Sequence, residues 1–353
     1  LTNRRTGKPE KFSHIYVLRG KKQIEVDELS CGDIGMTAKL ADTNTNDTLG
    51  GTFDYEAIVY PKPYMKKAIV PKEKGDEDKI SQGIARLLEE DRTMVYENDP
   101  ETKQLTISGL GDIHLDVTVS KLKSRYGASV ELKDAKIAYR ETIKKSVQVE
   151  GKHKKQSGGS GQYGHVKITF SHGFEEGLTF TQSVVGGSVP KTYFPAVEKG
   201  LLEAMQTGVL AGYPVVNLAA DLFDGSYHDV DSNEISFKLA AILAFKEGLP
   251  KASPVLLEPV YSMQISVPES LVGDVMGDLN KRRGRVMGMN PVEDRNGYTM
   301  IDAEVPLAEL SNYVINLRAM TQGRGSFDME LARYEEVPGP AAQKIIDDAK
   351  KNA

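Results

Sequence analysis

Residues 258–286 read EPVYSMQISVPESLVGDVMGDLNKRRGRV, and this stretch decides the fold. Tyr261, Met263, Ile265 and Val267 alternate with polar residues, the period-two pattern of a strand with one buried face. Val272, Val275, Met276 and Leu279 then share one helical face, and Gly284 ends it. Downstream, Ile301, Ala303 and Val305 alternate again. Leu307, Leu310, Val314 and Leu317 form a second helical stripe ending near Gly323. Phe327, Met329 and Leu331 close the unit over 258–335. This order is a split βαβ unit of ferredoxin-like type.

The same order runs over 64–136. Lys67 to Val70 opens it, and Ile80, Ile84, Leu87 and Leu88 form a helical stripe. Strands at Met94–Tyr96 and Leu105–Ile107 flank the turn at Asn98, Asp99 and Pro100. Leu115, Val119 and Leu122 give a second helix closed by Gly127, and Val130 and Leu132 a last strand. The repeat is architectural, without residue-level identity.

The middle, 137–257, differs. Strands are expected near 144–149, 164–170 and 214–222. One helix is expected over about 190–207 (Val197, Leu201, Met205) and another over about 232–247 (Ile235, Leu239, Ile242). Asp231 followed by Glu234 suits the start of that second helix. Two loops stand out, 151–163 (GKHKKQSGGSGQY) and 224–231 (DGSYHDVD). Residues 13–48 read as short strands of a small β-barrel with strands missing, and 339–353 as a frayed helix.

With 353 residues the chain exceeds a single core, so several domains are expected. A net charge of -5 excludes a protein that grips nucleic acid with its whole surface, so RNA contacts must be local. Cys31, the only cysteine, permits no internal disulfide and fits a reducing compartment. No run of about 18 apolar residues offers a membrane helix. The first twenty residues lack a signal-peptide core and an initiator Met, so the chain is expected to begin inside a larger protein.

Gly159, Gly161 and Gly164 spell G-x-G-x-x-G. A dinucleotide fingerprint needs a strand before it and a helix after it. Here lysines precede it and the strand-like HVKITF follows, so no cofactor is expected there. No P-loop motif occurs either. The loop 151–163 combines lysines for phosphates, glycines for close backbone approach, and Gln and Ser for base or sugar edges. A solvated flexible loop has the same composition. Tyr227 and His228 can stack on a nucleotide, or the turn can simply cap a helix. His228 beside Asp229 does not orient an imidazole for hydrolysis. Lys281, Arg282, Arg283 and Arg285 suit either a helix C-terminus or an RNA-phosphate patch. His114, in GLGDIHLDV, reads as a packed interface residue in the first turn of a helix. The six histidines show no zinc spacing, so no metal site is expected.

The motifs together reach further. VEGKHKKQSGGSGQYGHV (149–166), LAGYPVVNL (210–218), DGSYHDVDSNEISFKLAAILAFKEG (224–248), PVLLEP (254–259), GDVMGDLNKRRGRV (273–286) and AEVPLAELSNYVINLRAMTQGRGSF (303–327) resemble bacterial elongation factor G. So do ISGLGDIHLDV (107–117) and KIAYRETI (136–143). The resemblance runs along essentially the whole chain in the family's order. It implies an α+β multidomain fold: part of a β-barrel domain over 1–60, and ferredoxin-like domains over 61–136 and 258–336. A protruding ribosomal-protein-S5-like α/β domain over 137–257 lies between them, and 337–353 is a tail.

The implied role is GTP-dependent translocation of tRNA and mRNA, with ribosome recycling as a second task. The implied partners are the 70S ribosome, ribosomal RNA, the tRNA–mRNA duplex in the decoding region and the missing N-terminal GTPase domain. The resemblance puts Gln156, Ser157, Gly158, Gly159, Gln162, Tyr227, His228 and Asp229 on two tip loops against that duplex. It puts Lys281, Arg282, Arg283 and Arg285 against ribosomal RNA, and His114 on an interdomain surface of the fusidic-acid type. GTP and magnesium belong to the GTPase domain. This chain is expected to carry no cofactor, catalytic residue or membrane contact, and to be a cytoplasmic monomer. Two departures point to a paralogous branch with a different division of labour between translocation and ribosome recycling; the alternative is a ribosome-protection or recycling-specialised paralogue of the same fold. Ser160 stands where many members have Arg, and GLGDIHLDV replaces the commoner GMGELHLE.

Overall fold

Alternation over Ile15 and Val17, and over Ile24 and Val26, becomes an antiparallel hairpin of β1 (Ile15–Arg19) and β2 (Lys22–Val26). The computed structural model describes residues 1–156 and 161–351. The hairpin belongs to a unit spanning Leu1–Pro61, and the chain from Lys62 onward forms a second unit. Beyond the hairpin, the first unit has only isolated bridges such as Tyr16–Met36 and Asn3–Leu49, so no barrel closes among the described residues. A lone hairpin has too little apolar face to build a core. No apolar side chain of this unit is buried, and its interior is polar: Asn3 and Glu10. Glu10 accepts from the amides of Ala41 and Asp42 and from the Thr43 hydroxyl, at 3.0, 2.7 and 2.8 Å. These bonds, that to Asp42 foremost, hold its carboxyl below the usual range.

In the second unit the first split βαβ segment folds as β3 (Met65–Pro71), α1 (Glu77–Glu90), β4 (Val95–Asn98), β5 (Leu105–Gly109), α2 (Asp112–Tyr126) and β6 (Val130–Asp134). Its sheet runs β4-β5-β3-β6. Then come β7 (Arg140–Ile143), β8 (Val147–Lys155), β9 (Gln162–His172), β10 (Leu178–Gln182), α3 (Phe194–Ala204), β11 (Leu218–Ser226) and α4 (Glu234–Gly248). The last segment holds β12 (Pro254–Pro268), α5 (Val272–Lys281), β13 (Arg285–Pro291), β14 (Tyr298–Pro306), α6 (Tyr313–Thr321), β15 (Ser326–Glu336) and α7 (Gly339–Lys351). Its sheet runs β13-β14-β12-β15. Both split segments therefore order their strands second, third, first, fourth. Their buried residues join in one apolar cluster, with Tyr64 against Phe327 at 4.5 Å between ring centroids.

The middle segment has its own core around Phe170, Phe237 and Phe245 and its own sheet, ordered β10-β11-β9-β8. Its two ends are fastened together. The fifteen-residue β12 pairs with β7 over its first four residues, Pro254 opposite Ile143 and Leu257 opposite Arg140, before entering the last sheet. Glu141, fully buried on β7, accepts the amides of Leu210, Ala211 and Tyr213 at 2.9, 2.9 and 3.2 Å. A carboxylate there satisfies three amides of an irregular turn that would otherwise be orphaned.

Three expectations change here. Residues 151–155 and 162–163, expected as loop, are strand, the end of β8 and the start of β9. The helix after the second loop is capped by Asn233, whose Oδ1 accepts from Ser236 N at 2.9 Å, not by Asp231. That helix, α4, also buries a different face. Ile235 is exposed, while Ala240, Ala244 and Phe245 are buried toward the sheet and Phe237 and Ala241 against Tyr193 and α3. Because α4 is apolar all round, periodicity alone does not choose its side. Its backbone lies so close to the sheet that a Cβ on Gly151 would sit 2.0 Å from Ala240 O, and one on Gly164 2.3 Å from Ser236 O. Only small residues fit at that spacing.

Candidate nucleic-acid interface

The start of β9, from Gly161, and the connection from β11 to α4 meet at one end of the middle sheet. Gly161 N donates to Asp231 Oδ1 at 2.8 Å, and Tyr163 N to Asp231 O at 2.8 Å. Ser232 Oγ donates to Tyr163 O at 2.9 Å. Tyr163 and Ser232 also form a parallel bridge. Segments 70 residues apart in sequence thus share one tip. Ser226 Oγ sits 2.7 Å from Tyr163 Oη and 2.8 Å from His165 Nδ1, tying β11 to β9 just below it. Lys167 and Asp224 pair at 2.8 Å further down. That bond, with the Gly225 amide, holds the Asp224 carboxyl down at about 2.

His228 stands exposed on this tip. Its Nδ1 accepts from Val230 N at 3.3 Å and Asp231 N at 3.2 Å, and its own amide donates to Ser232 Oγ at 2.9 Å. An Nδ1 that accepts twice leaves the neutral ring's proton on Nε2. The ring is thereby fixed by its own turn, with Asp231 Oδ2 also 3.5 Å from Nδ1, and no described residue partners Nε2. Tyr227 and Asp229 beside it are exposed. Gln156 is exposed at the end of β8, while Gln162 Oε1 lies 2.9 Å from His153 Nε2. Ser157, Gly158 and Gly159 lie outside the described residues. Within the G-x-G-x-x-G run, Gly161 fastens the two loops and Gly164 admits α4, and a strand follows.

The other candidate residues lie elsewhere in this unit. His114 is half-buried in the first turn of α2, with Nδ1 accepting from Leu110 N at 3.1 Å and Nε2 3.0 Å from Asp91 Oδ2. Both ring nitrogens are used internally. In the basic run, Arg282 bonds Asp278 Oδ2 and Glu309 O at 2.7 and 2.5 Å. Arg283, in the left-handed region at φ 57, grips Glu258 at 2.6 and 3.0 Å and Glu309 at 2.9 Å. Arg285 pairs with Glu335. Lys281, in the last turn of α5, is exposed. Three of these four cations therefore stitch the end of α5 to neighbouring segments. Asp231, Tyr163, Ser226 and His165 hold the tip together, and sequence reading did not single out their partnerships. No spacing rule pairs residues that only a sheet brings together. Among the described residues no cluster of His, Cys, Asp or Glu is placed to hold a metal ion.

Family models match consecutive blocks of the chain: elongation factor G domain III over 60–134, domain IV over 135–253, and the elongation factor G C-terminus over 255–345. The chain belongs to the elongation factor G family. An elongation factor G-like protein of Thermotoga maritima is 46% identical over 348 residues, 97% of this chain and 50% of that protein. A crystal structure of a Thermus thermophilus protein superposes with a TM-score of 0.80 at 37% identity, over 96% of this chain and 51% of that one. The chain thus spans about half the length of these relatives. The paired tip falls within the elongation factor G domain IV match, His114 within domain III and residues 281–285 within the C-terminus. No helix of the described residues is long and apolar enough to cross a membrane.

Proposed function

We propose that this chain is the ribosome-binding part of a translational GTPase that moves tRNA and mRNA through the 70S ribosome, its tip entering the decoding region behind the tRNA–mRNA duplex. Ribosomal RNA is the second partner, with Lys281 and the solvent-facing edges of Arg282, Arg283 and Arg285 as its contacts. GTP, magnesium and their chemistry belong to a GTPase domain upstream, against which the His114 surface packs. The observation that carries the reading is the paired tip. It combines glycines, glutamines and one exposed imidazole whose Nδ1 is held by its own turn. Such groups can meet 2′-hydroxyls in a shallow minor groove without reading sequence, which suits a factor that must act on every tRNA. The residues offer no covalent chemistry; they position and exclude.

The test is His228→Asn in the full-length factor. Asn Oδ1 replaces Nδ1 as the acceptor of the turn but removes the ring and its Nε2–H. Losing one such RNA contact is worth about 1–3 kcal/mol, so tRNA movement should slow about five- to a hundred-fold. GTP hydrolysis, measured in the same stopped-flow experiment, should stay unchanged. If both steps slow together, or neither does, His228 serves only its own turn. A second reading, a paralogue specialised in ribosome recycling, is favoured by Ser160 and by GLGDIHLDV. Failure of the gene to replace an elongation factor G deletion, with retained ribosome splitting, would select it.

A further inference from the structure

We propose that the open face of the middle sheet below the tip, from Lys152 and Lys154 across Tyr163, is a contact for an RNA sugar–phosphate backbone, separate from the tip loops. The proposal rests on the ribosome-binding reading above. α4 packs on one face of the sheet, over Gly151 and Gly164. Alternation puts the neighbours of those glycines on the other face. There Lys154 lies opposite Tyr163, Lys152 opposite His165, and His165 opposite Ser226. Lys152 and Lys154 are exposed, and Tyr163 and His165 half-buried.

Charge divides this face in two. Away from the tip Lys167 is matched by Asp224 at 2.8 Å, and Glu150 Oε2 lies 3.6 Å from His165 Nε2. Toward the tip no carboxylate among the described residues pairs with Lys152 or Lys154. Tyr163 spends its hydroxyl on Ser226, which lays the ring across the sheet toward β11. Lys152 Nζ stands 5.7 Å from that ring's centroid, and the His228 ring lies 6.5 Å away on the tip side. His228, Tyr163 and Lys152 thus make one strip of aromatic and cationic groups leading off the tip. Unmatched lysines alone would suit any polyanion. An aromatic ring whose hydroxyl is already satisfied offers a surface for stacking, and that combination fits RNA better than an acidic protein.

The test uses the 353-residue chain binding to purified 70S ribosomes at a series of salt concentrations. Each lost phosphate contact lowers the slope of log affinity against log salt by about 0.7–0.9, so Lys152→Ala with Lys154→Ala should lower it by about 1.4–1.8. Lys199→Ala with Lys246→Ala, exposed on α3 and α4, should not change it. Tyr163→Leu should weaken binding about five- to a hundred-fold, and Tyr163→Phe, which keeps the ring but loses its anchor on Ser226, should weaken it less; equal losses for the two would rule out stacking on the ring. Thermal unfolding shows whether each variant is folded. A benzophenone on Lys154→Cys, in a Cys31→Ser background, should crosslink to ribosomal RNA. An adduct with a ribosomal protein overturns the proposal. So does an unchanged slope in the lysine pair while His228→Asn still weakens binding, which leaves the ribosome-binding reading intact. If no variant alters binding, that reading falls and this proposal with it.

Discussion

Asp231 Oδ1 accepts the Gly161 amide at 2.8 Å, a side-chain bond that joins the two segments of the tip across 70 residues of chain. Asp231→Ala removes it but leaves the backbone bond from Tyr163 N in place. The expected cost is about 1 kcal/mol, because the site is partly open to water. Hydrogen exchange at Gly161 should quicken while amides in the core of β9 keep their protection. Unchanged exchange at Gly161 would show that the strand pairing alone holds the tip.

Asp224 sets an acid limit on the same region. Its pKa lies at about 2 in the folded chain against 3.8 for an ordinary aspartate, with the Lys167 hydrogen bond as the largest cause. A depressed folded pKa contributes stability that is present above 3.8 and is lost as pH falls through about 2. The carboxyl carbon of Asp224, followed by NMR, should therefore titrate near 2, and Lys167→Ala should move the midpoint upward. A midpoint that ignores Lys167 contradicts the assignment.

Gly151 leaves no room for a side chain against α4, where a Cβ would sit 2.0 Å from Ala240 O. Gly151→Ala should destabilise the middle segment by about 1–3 kcal/mol, the cost of overpacking a core. Gly273→Ala meets open space on α5 and should be neutral or slightly stabilising, since alanine favours helix. Equal denaturation midpoints for the two variants would rule out the close approach.

The basic run divides into structural and free cations. Arg283→Ala strands the carboxylate of Glu258, whose side chain is only 3% exposed, and should cost about 3 kcal/mol. Lys281→Ala should change stability by less than about 0.5 kcal/mol but lower the salt dependence of ribosome binding. A loss of stability for Lys281→Ala comparable to that for Arg283→Ala would erase the distinction.

Sequence alone determined the two split βαβ segments. Their strands alternate and their helices carry one apolar stripe each, as in Met263, Ile265 and Val267 followed by Val275 and Leu279, all buried. Local periodicity is enough there because each element has one face to bury. The Lys, Gly, Gln and His of the tip could be named from the sequence, although a solvated loop has the same composition. Only tertiary structure decided which of them meet. α4 is apolar all round, so its buried face was chosen by two glycines on other strands, Gly151 and Gly164. Asp231 became a clamp rather than a helix cap because the sheet brought Gly161 to it. Arg283 found carboxylates 25 and 26 residues away. Such partnerships depend on distances across strands and helices, which no pattern along the chain contains.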